Sequence, residues 1–311
     1  MKFQKAVFVN IADSHFDKKY LDQIDEFAEK RVMLSRDDSN LMTELKDCDC
    51  LMLGFQVPTG KDIFDAAPNL KLINILATAY GTVDLEIAKQ KNIPVCNLAG
   101  YSTEAVAEFT IAILMYQIRQ IEEGISRGKA GNYDFDGMSA RELKNSNFGI
   151  IGLGNIGNRV AELAAGFGAN VSYWSRNKKD NDFTYKELDE LLSESDYISV
   201  NVAQTPETEN LLNDKNIPLI KSGAVVISTV PPEVIETNAL ASRLAKKDIT
   251  FVSDHADEMS EETISALKPY SNCLLLPAIA FITAEARINK QEIFIGNIKA
   301  ALEGKPQNKV N

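Results

Sequence analysis

The run Phe148-Gly-Ile-Ile-Gly-Leu-Gly-Asn-Ile-Gly157 constrains this chain more than any other feature. It reads as an apolar strand running into G-x-G-x-x-G, with Gly152, Gly154 and Gly157 in the glycine slots. In such a turn the first glycine makes the tight strand-to-helix bend. The second lets the backbone approach a pyrophosphate, and the third lets the helix pack closely on the strand. The helix then offers free N–H groups and a positive dipole end to the phosphates. A glycine pattern alone is weak. Here Val160, Leu163, Ala164 and Phe167 are spaced as a helix face, and Asn170 to Trp174 reads as the next strand, so the surrounding β-α-β context is present. A glycine-rich turn without a ligand is the alternative. The favoured reading is a dinucleotide site held by Gly152, Gly154, Asn155, Ile156 and Gly157.

The residues closing the second strand bear on which dinucleotide binds. An NAD site usually carries an acid there, bonded to the ribose 2′-hydroxyl. This chain has Ser175-Arg176-Asn177-Lys178-Lys179 instead. An acid would repel a 2′-phosphate, whereas a hydroxyl followed by Arg and Lys accepts one through charge-assisted hydrogen bonds. NADP(H) is therefore favoured over NAD(H), with Ser175, Arg176 and Asn177 as its contacts. The competing reading is a solvated charged loop.

With 311 residues the chain is long enough for two domains. Its net charge of −11 argues against a nucleic-acid partner. The N-terminal run does not read as a signal peptide. No apolar stretch approaches the ~18 residues of a membrane span. Cys48, Cys50, Cys96 and Cys273 form no C-x-x-C pair, and the histidines are His15 and His255 alone. Reduced thiols, a cytoplasmic location and no metal site are expected.

Strand and helix signals alternate from the start. Strands are expected at Lys5 to Asn10, Cys50 to Leu53, Leu72 to Leu76 and Val95 to Asn97. Helices are expected at Lys18 to Lys30, Asn40 to Asp47 and Leu85 to Lys91. Ser102 opens a long helix reaching Ile118, followed by a Gly/Asn/Asp-rich loop from Gly128 to Gly137. A second series then has strands at Tyr197 to Val202, Ala224 to Ser228, Thr250 to Ser253 and Cys273 to Leu276. Its helices are Tyr185 to Glu194, Asn238 to Lys246 and Glu261 to Leu267. Ala284 to Leu302 forms the last helix, and the tail from Gly304 to Asn311 is expected to be loosely held. Such alternation predicts parallel α/β sheets.

Several segments together resemble the D-isomer-specific 2-hydroxyacid dehydrogenases, over nearly the whole chain. They are YGTVDLEI at 80–87, NLAGYSTEAVAE at 97–108, the GLGNIG turn, LDELLSESD at 188–196, TPETENLLN at 205–213, and IAFITAEAR at 279–287 leading to EGKP at 303–306. The resemblance implies an α/β fold of two Rossmann-like, doubly wound parallel-sheet domains around a cleft. It puts a discontinuous substrate domain at 1–98 plus 286–311 and a dinucleotide-binding domain at 99–285. It also implies a homodimer, a small-molecule substrate, and further cofactor contacts from Thr205, Thr229 and Asp254.

The family uses an arginine to anchor the substrate carboxylate, a histidine as general acid/base, and a glutamate that raises that histidine's pKa. Matching motif to motif puts Pro231 in the arginine slot and Ala278 in the histidine slot. Met259 falls in the glutamate slot, with Glu258 and Glu261 within a one- or two-residue slip. Proline cannot donate to a carboxylate. Alanine cannot move a proton, help typically worth about 10²–10⁴ in rate. Pro231, Met259, Ala278 and Phe281 would make the cleft floor apolar.

His255 is the candidate replacement, with Asp254 and Asp257 able to orient it and raise its pKa. Tyr80 and Tyr101 lie in the segments that resemble substrate loops and could donate a proton if their pKa values were lowered. A lone histidine is more often structural, and packing at the domain hinge is the favoured reading of each tyrosine taken singly. Two functions follow: an NADP(H)-dependent oxidoreductase acting on a carbonyl or imine other than a simple 2-oxo acid, or a catalytically inactive dinucleotide-binding sensor. No residue pattern supports a non-redox enzyme.

Overall fold

The computed structural model describes residues 2–55 and 57–311. The chain forms two compact units, residues 1–102 with 283–311, and residues 103–282. Unit 1 begins with β1 (Phe3–Val9), α1 (Lys18–Phe27), β2 (Ala28–Leu34), α2 (Leu41–Glu44), β3 (Cys50–Leu53), α3 (Lys61–Ala66), β4 (Leu72–Ile75), α4 (Leu85–Gln90) and β5 (Val95–Cys96). Unit 2 opens with α5 (Thr103–Ile118) and α6 (Ile121–Lys129). It continues through β6 (Asn147–Ile151), α7 (Asn155–Gly166), β7 (Asn170–Trp174), β8 (Thr184–Tyr185), α8 (Leu188–Glu194) and β9 (Tyr197–Val200). It closes with β10 (Val225–Ser228), α9 (Thr237–Leu244), β11 (Thr250–Ser253), α10 (Glu261–Leu267) and β12 (Cys273–Leu275). Then α11 (Ala284–Leu302) returns to unit 1.

Both sheets are parallel throughout these strands. Unit 1 has the order β2-β1-β3-β4-β5, and unit 2 the order β12-β11-β10-β9-β6-β7-β8. Parallel strands covered on both faces need continuous apolar runs. The segments Cys-Leu-Met-Leu of β3, Val-Val-Ile-Ser of β10 and Tyr-Ile-Ser-Val of β9 are buried at every position. In β4 the same rule admits Asn74 because it is bonded: its Nδ2 donates to Phe294 O at 3.0 Å, and its Oδ1 accepts from Asn297 Nδ2 at 3.0 Å. That pair ties α11 to the sheet.

In unit 2 the chain runs outward from β6 through β7 and β8, then restarts at β9 on the other side of β6. This reversal is the topological switch point at which open α/β sheets take ligands. The glycine turn leaves the carboxyl end of β6 there. Its helix, α7, packs on α5 through a shared core that includes Ala107, Ile111, Leu114, Val160, Ala161 and Ala164.

The structure corrects four expectations. The helix expected to reach Lys30 ends at Phe27, and residues 28–34 pair with β1 as the edge strand β2. Tyr185 lies in the two-residue strand β8, so the helix expected from that point begins at Leu188. Residues 121–129, which drew no element in the sequence, form α6, set off from α5 by Gln120 at φ 51°. Last, the tail is held. Lys309 bridges Cys96 antiparallel, Val310 N donates to Val95 O at 2.9 Å, and Asn311 Oδ1 accepts from Val95 N at 2.9 Å. The open edge of β5 supplies partners that a solvated tail would lack.

Candidate active site

Each glycine of the turn meets a different steric demand. Gly152 sits at φ +95°, and a Cβ there would lie 2.8 Å from Val202 Cγ1 and 2.9 Å from the Asn201 carbonyl. A Cβ on Gly157 would lie 2.0 Å from Gly152 O, so the helix can approach the strand only without one. Gly154 is the opposite case: a Cβ would meet nothing within 4 Å. Gly154 therefore borders open space at the start of α7. There the N–H groups of Asn155, Ile156 and Gly157 precede the first intrahelical bond, Asn158 N to Gly154 O at 2.9 Å. An open cradle lined by free N–H donors fits a dinucleotide pyrophosphate.

The loop after β7 is shaped by its own residues. Ser175 is buried and its Oγ donates to Asn177 O at 2.7 Å. Tyr173 OH donates to Lys179 O at 3.0 Å and accepts from Lys179 N at 2.9 Å, which folds the segment back on β7. Arg176 is exposed. Glu207, on the loop after β9, is held below the usual carboxylate range by its hydrogen bond to Thr205 and more weakly by the Arg176 charge. Thr205 N donates to Thr208 Oγ1 at 2.8 Å, and Thr229 Oγ1 reaches Val200 O at 3.5 Å. The sequence-derived contacts Ser175, Arg176, Asn177, Thr205 and Thr229 all lie on loops leaving the carboxyl ends of β7, β9 and β10.

A cluster of acids surrounds His255 at the end of β11. Asp254 is only 1% exposed. Its Oδ1 accepts from Ile279 N at 3.0 Å and Ala280 N at 3.2 Å, and its Oδ2 from Ala280 N at 3.1 Å. Burial pushes the Asp254 carboxyl up, and these backbone donors offset part of that rise. Asp257 Oδ1 accepts from Ala278 N at 2.8 Å. The two aspartates thus fasten segment 278–280. Asp254, expected to contact a cofactor, has both oxygens engaged by backbone.

His255 Nδ1 is buried, meets no aligned hydrogen-bond acceptor among the described residues, and lies 3.3 Å from Glu258 Oε1. Burial pushes the imidazole down, but Glu258 first, then Asp254 and Asp257, carry it net above the ordinary histidine value. Glu258 and not Glu261 faces the histidine; Glu261 is exposed in the first turn of α10. Met259 packs against the unit 2 core. Pro231 precedes the short 3₁₀ turn Pro232–Val234 and accepts from Val234 N at 3.3 Å. Ala278 N is the donor to Asp257 described above.

The two tyrosine candidates belong to unit 1. Tyr80 is exposed on the loop after β4, its carbonyl accepting from Val83 N at 3.1 Å. Tyr101 is half-buried, and burial pushes its phenol up, against a hydrogen bond with Ser102 that lowers it. That direction is opposite to the lowered value proton donation requires. Lys290 Nζ lies 6.0 Å from the Tyr101 ring centroid. A lone lysine on a helix carries no signal until tertiary neighbours are known.

Comparison with known proteins agrees with this geometry. Residues 111–280 match the family model described as D-isomer specific 2-hydroxyacid dehydrogenase, NAD binding domain. The chain is 31% identical over 288 residues to the hydroxypyruvate reductase of Blautia hydrogenotrophica, covering 88% of each protein. Among solved structures, an acyclic imino acid reductase in complex with NADPH and D-Arg matches with a TM-score of 0.88 at 25% identity. That match covers 99% of this chain and all of the other. A D-lactate dehydrogenase of Aquifex aeolicus, complexed with NAD and lactic acid, matches with a TM-score of 0.83 at 25% identity, covering 96% of each chain. The glycine turn, the switch point and the length of these matches converge: this chain belongs to the D-isomer-specific 2-hydroxyacid dehydrogenase family and is a nicotinamide-dinucleotide oxidoreductase acting on CH–OH or C=O groups.

Proposed function

We propose that this protein is an NADP(H)-dependent reductase of carbonyl or imine compounds in which His255, paired with Glu258, supplies the proton. The carrying observation is the approach of His255 Nδ1 to Glu258 Oε1 at 3.3 Å, with a net upward pull on the imidazole. Pro231 and Ala278 stand where the family has its arginine and histidine, and Met259 where it has its glutamate, so those roles pass elsewhere. When bound, NADPH would supply the hydride. Asn155, Ile156 and Gly157 would hold its pyrophosphate, and Ser175, Arg176 and Asn177 would receive its 2′-phosphate. With Nδ1 turned to Glu258, Nε2–H is the donor toward the reduced oxygen or nitrogen. A simple 2-oxo acid finds no cationic fork in residues 229–232, so an oxo or imino compound that does not need carboxylate anchoring there is the substrate we infer. The likeness to an imino acid reductase in complex with NADPH supports the imine and the NADPH assignments.

We further infer a homodimer working in the cytoplasm. The four cysteines are free thiols, which suits a reducing compartment. Among the described residues no helix is long and apolar enough to cross a membrane.

Titration calorimetry with NADPH and NADH tests the cofactor assignment. Arg176→Ala should weaken NADPH about tenfold or more while leaving NADH nearly unchanged. Equal weakening of both would remove the NADPH assignment. His255→Asn should lower kcat for an oxo or imino substrate by about 10²–10⁴ with NADPH affinity intact. Unchanged turnover would remove the proton role. NADPH binding without turnover on any such compound would favour the inactive-sensor reading instead.

A further inference from the structure

One flank of α9 lines a cavity of unit 2 with charges of both signs. Glu236, Ala239, Arg243 and Lys246 follow one another at helical spacing, so they form a single stripe along α9 and its two ends. The cavity has a volume of about 290 Å³, and Asp214 and Pro218, from the segment before β10, line it as well. Small-molecule sites begin at roughly this size. Among the described residues Asp214, Glu236 and Lys246 form no ion pair.

Arg243 is the fixed part of this lining. Its side chain is only 8% exposed. Nη2 donates to Ile220 O at 2.7 Å and pairs with Asp248 Oδ2 at 3.0 Å. Nε is sealed and makes no hydrogen bond among the described residues. Nη1 makes none there either, and it is the edge of the guanidinium left to face the cavity that Arg243 lines. A guanidinium held in one place with N–H donors left over is preorganised for a carboxylate.

The opposite wall is preformed too. Asn216 is buried, its Oδ1 accepting from Asn213 N at 2.8 Å and its Nδ2 donating to Leu211 O at 2.8 Å, which fixes the turn carrying Asp214. Asp214 N donates to Glu236 Oε2 at 2.9 Å, and Glu236 N donates to Leu212 O at 2.8 Å, so the two acids are drawn to the same end. Acids therefore stand at one end of the cavity and cations at the other, with Ala239 on the stripe between them. From residue 236 to residue 243 the helix rises about 10 Å. Acids at the start of a helix and cations at its end also suit the α9 dipole. That dipole does not explain an Arg243 buried with donors to spare.

We propose that this cavity is a second ligand site of unit 2 that takes a small zwitterion. The ligand's ammonium meets Asp214 and Glu236, its carboxylate meets Arg243 and Lys246, and a short apolar chain between them lies along Ala239 and Pro218. An ω-amino acid has this chemistry. The site shares no residue with the glycine turn, the loop after β7 or the His255 cluster, and it does not rest on the reductase reading.

Calorimetric titration of the full chain with 6-aminohexanoate tests this, with hexanoate and hexylamine as singly charged controls. The wild type should bind the zwitterion at least about tenfold more tightly than either control, with affinity falling as salt rises. Lys246→Ala and Glu236→Gln should each weaken binding about tenfold. Both should melt near the wild-type temperature, because Lys246 is exposed and glutamine keeps an acceptor for Asp214 N. Lys246→Arg should hold the affinity within about threefold. A wild type that does not bind the zwitterion, or binds a control as tightly, overturns the site. So does binding that Lys246→Ala or Glu236→Gln leaves unchanged, and the charges would then serve the helix dipole alone.

Discussion

His255 is pulled in opposite directions by its surroundings. Burial disfavours the imidazolium, and Glu258, Asp254 and Asp257 favour it, with the acids prevailing. A reductive step needs the protonated form. The rate should therefore be highest at low pH and fall as pH rises through a value above the ordinary 6.5. Glu258→Gln removes the largest upward cause and leaves burial in place, so the fall should move to lower pH. A pH–rate profile that does not move would show that Glu258 does not set the imidazole. Stability follows the same sign: with a raised folded value, the contribution of His255 is complete below the unfolded value and is lost as pH rises through the folded one. Asp254 works differently. Its oxygens hold Ile279 and Ala280, so Asp254→Asn should loosen segment 278–280 and reduce thermal stability.

At the scale of elements, the glycine turn separates binding from folding. Gly154→Asp places a good helix N-cap residue where nothing lies within 4 Å, so the fold should keep its melting temperature. Its carboxylate would stand where a pyrophosphate approaches, and NADPH affinity should fall about a hundredfold or more. Gly157→Ala should do the reverse. Its Cβ would sit 2.0 Å from Gly152 O, and relieving that contact should cost about 1–3 kcal/mol of stability. Calorimetric unfolding beside NADPH titration distinguishes the two. A turn like this is legible in sequence because its demands are local, as are the buried runs of β3, β9 and β10. What escaped depends on distant partners. β2 carries Glu29, Lys30 and Arg31, polar because an edge strand faces solvent, so its pattern continues the helix before it. The tail pairs with β5, more than two hundred residues away in sequence. The His255–Glu258 pair lies within one turn of chain and was partly visible as a cluster of acids. The grip of Asp254 and Asp257 on segment 278–280 needed the tertiary fold.

For the whole molecule, the net charge of −11 opposes self-association unless an apolar surface outweighs it. Unit 2 offers one. None of the nine residues of α6 is buried, and Ile121 and Ile125 are exposed. A helix this short gains little from propensity and needs its apolar face covered. The loop that follows is braced to present its aromatics. Arg127 Nη1 donates to Asp134 O and Asp136 O, both at 3.0 Å, while Arg127 Nε pairs with Glu123 at 2.6 Å. Tyr133 and Phe135 alternate with those aspartates and are 85% and 78% exposed. Aromatic residues held rigid and exposed are the usual anchors of protein interfaces. A second copy of this chain is the partner inferred above. Tyr133→Ser with Phe135→Ser should convert the dimer to monomer in sedimentation velocity, weakening association by at least about 2 kcal/mol. NADPH binding should persist, because the glycine turn and α7 take no residue from this loop. A double variant that sediments as the wild type does would remove the loop from the interface, and a monomeric wild type would remove the dimer itself.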